Sequence, residues 1–268
     1  MKLNIFDLQK HKSGEKELPQ QFQEEYRPDL IRRAVNAVRS ATRQPYGTSP
    51  EAGMRSSSKL SKRRRKYRGC YGLGISRVNR KILSRRGTRF FWVGAFSPQT
   101  VGGRRAHPPK AEKIRVLDIN KNENRKAIRS AISATLDKVI VQKRGHKIPI
   151  EYPFIIKSNF ESIAKTAEMR NALKILGFEQ DLVRSSTKKV RAGTGKTRGR
   201  RYQKKKSILI VVSGDCPALK SARNLMGVDI VPVCALNAEL LAPGAMPGRA
   251  ALWTEKAIEE LETKKLFL

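Results

Sequence analysis

Acidic residues are scarce in this sequence of 268 residues, and over two long stretches they are missing altogether. Against 57 Lys and Arg stand only 23 Asp and Glu, a formal net charge of +34. Cysteine is scarcer still: Cys70, Cys216 and Cys234 are odd in number and far apart, which excludes a disulfide framework and a Cys-x-x-Cys metal knuckle. Of His11, His107 and His146, none has a Cys, Asp or Glu at metal-ligand spacing, so no metal site is expected. No run approaches the roughly 18 consecutive apolar residues of a membrane span. Residues 1–12 alternate apolar with polar groups where a secretory segment would be continuously apolar, so a soluble, cytoplasmic protein with no membrane partner is expected. The 39% of apolar residues still suffice for a core, and the length admits one large domain or two small ones at roughly 150 residues each.

What is present is cationic charge in two concentrated excursions. Residues 52–111 contain no acid and 17 Lys or Arg, and residues 182–214 contain no acid and 11 more. The rest of the chain carries 29 basic against 23 acidic groups, an ordinary surface. Such density repels itself until phosphates replace water and counterions around it, which makes nucleic acid the leading partner. Basic runs also occur as solvated tails or localisation signals, but both windows are internal. The first also interleaves Tyr67, Tyr71, Phe90, Phe91, Trp92 and Phe96 with Arg and Gly, a mixture able to stack on bases while guanidinium groups hold phosphate. For Phe90 to Trp92, anchoring on the protein's own core is an equal alternative.

The periodicity along the chain is that of an α/β protein. Residues 1–8 alternate as a strand, 16–18 return as a second, and 19–26 connect. Over 29–39, Leu30, Ile31, Ala34, Val35 and Val38 fall on one helical face, with Arg32, Arg33 and Arg39 on the other. From 43 to about 109 periodicity is lost, far beyond the usual loop length, and each limb of about 30 residues spans many tens of ångströms at about 3.3 Å per residue. A helix follows over 120–136, then a buried strand over 148–157. Ser158 to Glu161 fits a capping box opening a helical stretch that stops at Gly177. After the second basic window come a buried strand at 207–213, a helix at 217–226, a strand at 228–235, a short helix at 237–241 and a final helix at 254–265. The pattern predicts one α/β domain, a mostly parallel Rossmann-like sheet covered by helices, with a long extended basic loop inserted in its N-terminal part.

Two motifs suggest chemistry and fail on inspection. Ala192-Gly193-Thr194-Gly195-Lys196-Thr197 looks like the end of a P-loop, but Val190 stands where the first Gly belongs and the strand comes after, not before. It reads as a Gly-rich basic loop whose backbone approaches phosphate closely. Ser213-Gly214-Asp215-Cys216 joins a strand to a helix whose N-terminus is a place for a lowered thiol pKa. No histidine shares a motif with it, so a cap and a small core residue are the expected roles. The rival function, a Rossmann-like RNA-modifying enzyme that holds RNA in its basic windows, needs a Gly-x-Gly cofactor loop that Ser213-Gly214-Asp215 lacks. No catalytic residue, cofactor or small-molecule substrate is expected.

Seven stretches in order carry a family resemblance. They are Arg27-Pro28-Asp29-Leu30-Ile31-Arg32-Arg33-Ala34, Ala52-Gly53-Met54-Arg55, Gly102-Gly103-Arg104-Arg105-Ala106-His107-Pro108-Pro109-Lys110 and Asp118-Ile119-Asn120, followed by Arg191 to Tyr202, Ala222-Arg223-Asn224-Leu225, and Leu241-Ala242-Pro243-Gly244 with Trp253-Thr254-Glu255. Over nearly its whole length the chain resembles large-subunit ribosomal protein four, the universal L-four family, in its archaeal form. The resemblance implies a structural constituent of the large ribosomal subunit that binds ribosomal RNA early in assembly. It implies a globular domain with an arm, here 43–110, reaching toward the wall of the peptide exit tunnel, and a second rRNA-binding loop at 184–206. The tip is expected at Gly72, Leu73, Gly74, Ile75, Ser76 and Arg77, near the nascent polypeptide, with neighbouring ribosomal proteins as further partners. The cations expected on RNA are Arg32, Arg33, Arg55, Arg63, Arg64, Arg65, Lys66, Arg68, Arg77, Arg80, Arg85, Arg86, Arg89, Arg104, Arg105 and Lys110, with His107 beside them. From the second loop and beyond come Arg191, Lys196, Arg198, Arg200, Arg201, Lys204 and Arg223. Tyr67, Tyr71, Phe90, Phe91 and Trp92 are the candidates for base stacking.

Overall fold

Ile208-Leu209-Ile210-Val211-Val212 is apolar at every position because both faces of its strand are covered, and all five residues are fully buried. The computed structural model describes residues 1–55, 58, 60, 62–66, 70–72, 74 and 76–268, with Phe90 described by its backbone alone. In chain order the elements begin with strands β1 (Lys2–Phe6) and β2 (Lys12–Glu17), helix α1 (Pro28–Ala41) and strands β3 (Arg80–Arg86) and β4 (Arg89–Gly94). Helices α2 (Lys121–Leu136) and α3 (Lys138–Lys143), strand β5 (Ile155–Ile156) and helices α4 (Thr166–Ile175) and α5 (Glu179–Ser186) follow. The chain continues with β6 (Lys189–Val190), β7 (Tyr202–Gln203), β8 (Leu209–Val212), α6 (Ala218–Arg223), β9 (Asp229–Pro232), α7 (Ala238–Leu241), β10 (Ala251–Thr254) and α8 (Glu255–Thr263). These form two compact units, Met1–Thr42 with Val116–Leu268, and Arg43–Arg115.

The first unit is an α/β sandwich. Its sheet runs β2-β1-β5-β10-β8-β9, antiparallel only between β1 and β2. Strand alternation sends Leu209, Val211 and Trp253 to one face, against Ile31 and Val35 of α1, Ile132 of α2, Leu241 of α7 and Ile258 of α8. Ile210, Val212 and Leu252 go to the other, against Met169 and Leu173 of α4 and Ala218 and Ala222 of α6. The mostly parallel, helix-covered sheet is the expected class, but its strand order is not that of a dinucleotide-binding sheet, because β10, the last strand in the chain, inserts between β5 and β8.

Several elements depart from the periodicity. The expected strand at 148–157 pairs only through Ile155–Ile156, since Pro149 and Pro153 have no N–H to give a ladder. Ser158 caps nothing: Ser158–Ser162 is a 3-10 turn, α4 starts later at Thr166, and Glu161 reaches across the sheet instead. The stop at Gly177 is present, at φ +92°. The expected strand at 228–235 ends at Pro232 and turns into 3-10 backbone over Val233–Ala235. Helices α3 and α5, strand β10 and the small β6–β7 hairpin have no counterpart in the sequence reading.

The second unit is not structureless. Strands β3 and β4 form an antiparallel hairpin pairing Arg80 with Gly94, Ile82 with Trp92 and Arg86 with Arg89, with an irregularity between Ile82 and Ser84. Gly87, at φ +56°, supplies the positive φ a two-residue hairpin loop needs at its first position. Beyond β4 the Thr100 hydroxyl donates to the carbonyls of Ala95 and Ser97 and accepts from the Ser97 N–H at 2.9 Å, fixing a turn. At the base of the unit the Thr48 N–H donates to the Pro109 carbonyl at 3.0 Å. The Arg115 guanidinium stacks 3.8 Å from the Tyr46 ring centroid and donates to the Tyr46 and Lys110 carbonyls. Gly47 is required there by close approach: a Cβ would lie 2.3 Å from the Ala111 nitrogen.

Candidate nucleic-acid interface

Three surfaces present the cations expected on RNA. The first is α1, which begins with Pro28 at a position that needs no N–H donor. With Ile31, Ala34 and Val35 turned into the core, Arg32 and Arg33 face solvent. Arg33 pairs with Glu123 at 3.1 Å, an exposed pair worth at most about 1 kcal/mol and easily exchanged for phosphate. Among the described residues Arg32 has no acidic partner.

The second surface is the unit Arg43–Arg115. Cross-strand partners share a face and neighbours alternate, so Ile82 and Trp92 lie on one side of the hairpin and Lys81 and Val93 on the other. Ile82, Leu83, Phe91 and Trp92 are 46–67% exposed, so the hairpin does not bury its apolar groups on either side. Arg80, Arg85, Arg86 and Arg89 line the same ribbon. Some of these are braced by backbone: Arg80 donates to the Ser76 and Val78 carbonyls and Arg85 to Gly87 at 2.8 Å. Arg63, Arg64, Arg65 and Lys66 are exposed, as are Arg55, Arg105, His107 and Lys110, and Arg104 is half-buried beside Gly53. The guanidinium of Arg77 lies 4.3 Å from the Tyr71 ring centroid, so that ring already carries a cation. Gly72 and Gly74 take positive φ, and Ser76 and Arg77 are exposed. Tyr67, Arg68, Leu73, Ile75 and the Phe90 side chain lie outside the described residues.

The third surface is the β6–β7 hairpin and its Gly-rich loop. The Arg191 N–H bonds the Arg201 carbonyl at 2.7 Å, its guanidinium reaches the Arg200 carbonyl at 3.1 Å, and the Arg200 N–H closes on Gly195 at 3.0 Å. A Cβ at Gly195 would sit 2.8 Å from the Arg191 Cδ, so a larger residue there has to move that side chain aside. Arg191 is therefore spent inside the loop, while Lys196, Arg198, Arg200, Arg201 and Lys204 point outward, none with an acidic partner among the described residues. Tyr202 is half exposed with the Arg201 guanidinium 5.6 Å from its ring centroid.

The root of that loop rests on a buried polar cluster that sequence reasoning missed. The fully buried Asp181 accepts from Arg184 at 2.8 Å, from the Lys147 N–H at 3.0 Å and from the Ser207 hydroxyl, and lies 3.3 Å from His146 Nδ1. Burial alone pushes its carboxyl toward protonation, but hydrogen bonds from His146, Arg184 and Ser207 outweigh this and hold it below the usual carboxylate range. His146 is lowered, chiefly by burial, and only partly rescued by Asp181. Nearby, Arg249 is fully buried, pairs with Asp229 at 2.6 Å and donates to the carbonyls of Ser207, Ile208, Gly227 and Leu240. Arg184 and Lys206 bracket the exposed cations yet serve this scaffold, Lys206 pairing with Asp229 at 2.8 Å. For Arg184 the i,i+3 acid Asp181 on the same helix is a local signal, whereas the acid that holds Lys206, Asp229, lies 23 residues away.

The carboxyl ends of the parallel strands, where α/β sheets bind ligands, are already occupied. The Glu161 carboxylate accepts from the Ser213 N–H at 2.9 Å, the Ser213 hydroxyl at 2.8 Å and the Thr254 hydroxyl at 2.6 Å, so the donors a cofactor phosphate would use are taken. Burial raises the Cys216 thiol, and contacts from the Leu219 and Ala218 amides do not reverse it, the opposite of an activated nucleophile.

Comparison with known proteins bears on the same residues. A family model described as Ribosomal protein L4/L1 family matches residues 16–264. Large ribosomal subunit protein uL4 of Nanoarchaeum equitans is 47% identical over 268 residues, covering 100% of both chains. The protein of that name from Methanoculleus marisnigri is 46% identical over 98% of this chain and 99% of its own, and that from Archaeoglobus fulgidus 44% over 97% and 98%. All three surfaces, the loop root and the sheet end fall inside the matched region, and on these matches the chain belongs to the ribosomal protein L4/L1 family.

Proposed function

We propose that this protein is a non-enzymatic structural constituent of the large ribosomal subunit that binds and orders ribosomal RNA early in assembly. Its arm, 43–110, threads into RNA and helps form the wall of the peptide exit tunnel, with Gly72 to Arg77 nearest the nascent polypeptide. The loop 184–206 and the Arg32 and Arg33 face of α1 hold RNA at the globular unit, and neighbouring ribosomal proteins complete its surroundings. The observation that carries this reading is a 60-residue window with 17 cations and no acid whose hairpin leaves apolar groups exposed on both faces. Such a ribbon needs phosphates to neutralise it and bases to cover it. Guanidinium groups and lysines take the phosphates, Gly admits close backbone approach, and Phe91 and Trp92 stack on unpaired bases.

The test is sedimentation of a cell lysate through a high-salt sucrose gradient, comparing the full chain with one lacking 56–97. The full chain is expected with large subunits, and the deletion is expected to wash off at lower salt. A full chain that stays at the top of the gradient overturns the reading.

A further inference from the structure

The two edges of the six-stranded sheet are treated differently. At one end β2, Lys-Ser-Gly-Glu-Lys-Glu, is guarded by Lys12, Glu15, Lys16 and Glu17, the charged edge that keeps other strands away. At the other end β9 carries one charge, Asp229, already paired with Arg249 and Lys206, and Pro232 only at its last position, so Ile230 and Val231 are left without a charged guard. The Asp229 N–H bonds inward to the Ile208 carbonyl, so in a parallel ladder Asp229 and Val231 serve β8, and the N–H and C=O of Ile230 point to the open side. Among the described residues neither group of Ile230 has a partner.

This edge is the floor of a groove. Leu219 and Arg223 of α6 wall it on one face of the sheet and Leu240 of α7 on the other, so both helix layers overhang the place where one more strand belongs. A strand seated 4.7–4.9 Å from β9 would send alternate side chains under α6 and under α7. Arg223, exposed and without an acidic partner among the described residues, is the cation at the rim.

We infer that the open edge of β9 receives an extended polypeptide segment of a neighbouring large-subunit protein, which pairs its backbone with Ile230 and seats an acidic side chain against Arg223. Backbone pairing satisfies a donor and an acceptor of one residue together. A phosphate backbone satisfies only the donor and leaves the Ile230 carbonyl unpaired. Arg223, expected on RNA from the sequence, is in this inference a contact to protein. Pro232 ends the edge, so the paired stretch is short and its affinity comes from the two walls.

The inference rests on the large-subunit reading, so its test begins with large subunits purified from cells whose chain carries Arg223→p-benzoylphenylalanine. Absence of the unsubstituted chain from large subunits purified in parallel would overturn the large-subunit reading and this inference together. With the chain present, irradiation is expected to give an adduct with one peptide segment of one ribosomal protein. Adding Ile230→Pro, which removes the outward N–H and no inward bond, is expected to cut that adduct at least fivefold, whereas Ile230→Val leaves it. An adduct to ribosomal RNA, no adduct, or a peptide adduct indifferent to Ile230→Pro would overturn the strand pairing while leaving the large-subunit reading intact.

Discussion

His146 and Asp181 show how far a single residue's role depends on what packs over it. Both have folded-state pKa values below their ordinary 6.5 and 3.8. A group with a depressed folded pKa stabilises the fold above its unfolded pKa, and that contribution is lost as pH falls through the folded value. For His146 the unfolded chain begins to bind a proton near pH 6.5 while the buried ring does not, so stability declines from there downward. For Asp181 the loss starts only near pH 4, as the unfolded carboxylate protonates first. The expected outcome is a urea midpoint for the full chain that falls between pH 7 and 5.5, with His146→Asn flattening that segment and leaving the loss below pH 4. A wild-type midpoint constant over pH 7 to 5.5 would show that burial of the neutral ring contributes nothing.

Among the elements, the β6–β7 hairpin separates cations that hold the fold from cations that face outward. Arg184 is tied to Asp181 and the Lys206 carbonyl, whereas among the described residues Arg198, Arg200 and Arg201 meet no acid. Replacing the last three by Gln is expected to lower the salt slope of RNA binding by about 2 to 3, at roughly 0.7–0.9 per phosphate contact, and to leave the unfolding free energy within about 0.5 kcal/mol. Arg184→Gln should do the reverse, costing about 3 kcal/mol or more by leaving Asp181 short of a partner while changing the slope little. Filter binding across a salt series beside urea melts reads both. The two basic windows were legible as counts of charge, but not this division, because the acids that spend a cation are at Asp181 and Asp229, outside the window. Strand β8 was legible since five successive apolar residues fit only a doubly covered strand. Strand β10, Ala251-Leu252-Trp253-Thr254, was not: four residues without alternation, after a Gly and Pro stretch, carry too little pattern. The hairpin β3–β4 escaped for a different reason: its exposed apolar groups occupy both faces, so no period of two marks a buried side.

That same absence of a buried side governs the molecule as a whole, because its two units stabilise themselves by different means. The sheet of the first unit buries apolar side chains on both faces under two layers of helices. Among the described residues strands β3 and β4 pair only with each other, and an isolated two-stranded hairpin is marginal in water. Arg80, Lys81, Arg85, Arg86 and Arg89 repel one another along it, and Trp92 remains 57% exposed. Among the described residues no acid pairs with Arg80, Lys81, Arg86 or Arg89, so the hairpin is expected to reach full stability only on RNA. Hydrogen exchange read by mass spectrometry on the free chain and on purified large subunits tests this directly. Amides of β8 should be protected in both states, whereas those of β3 and β4 should exchange within about a factor of ten of unprotected rates in the free chain and at least a hundredfold more slowly in the subunit. Strong protection of β3 and β4 in the free chain would mean that the hairpin is self-sufficient, and its exposed apolar faces would then need an explanation other than RNA.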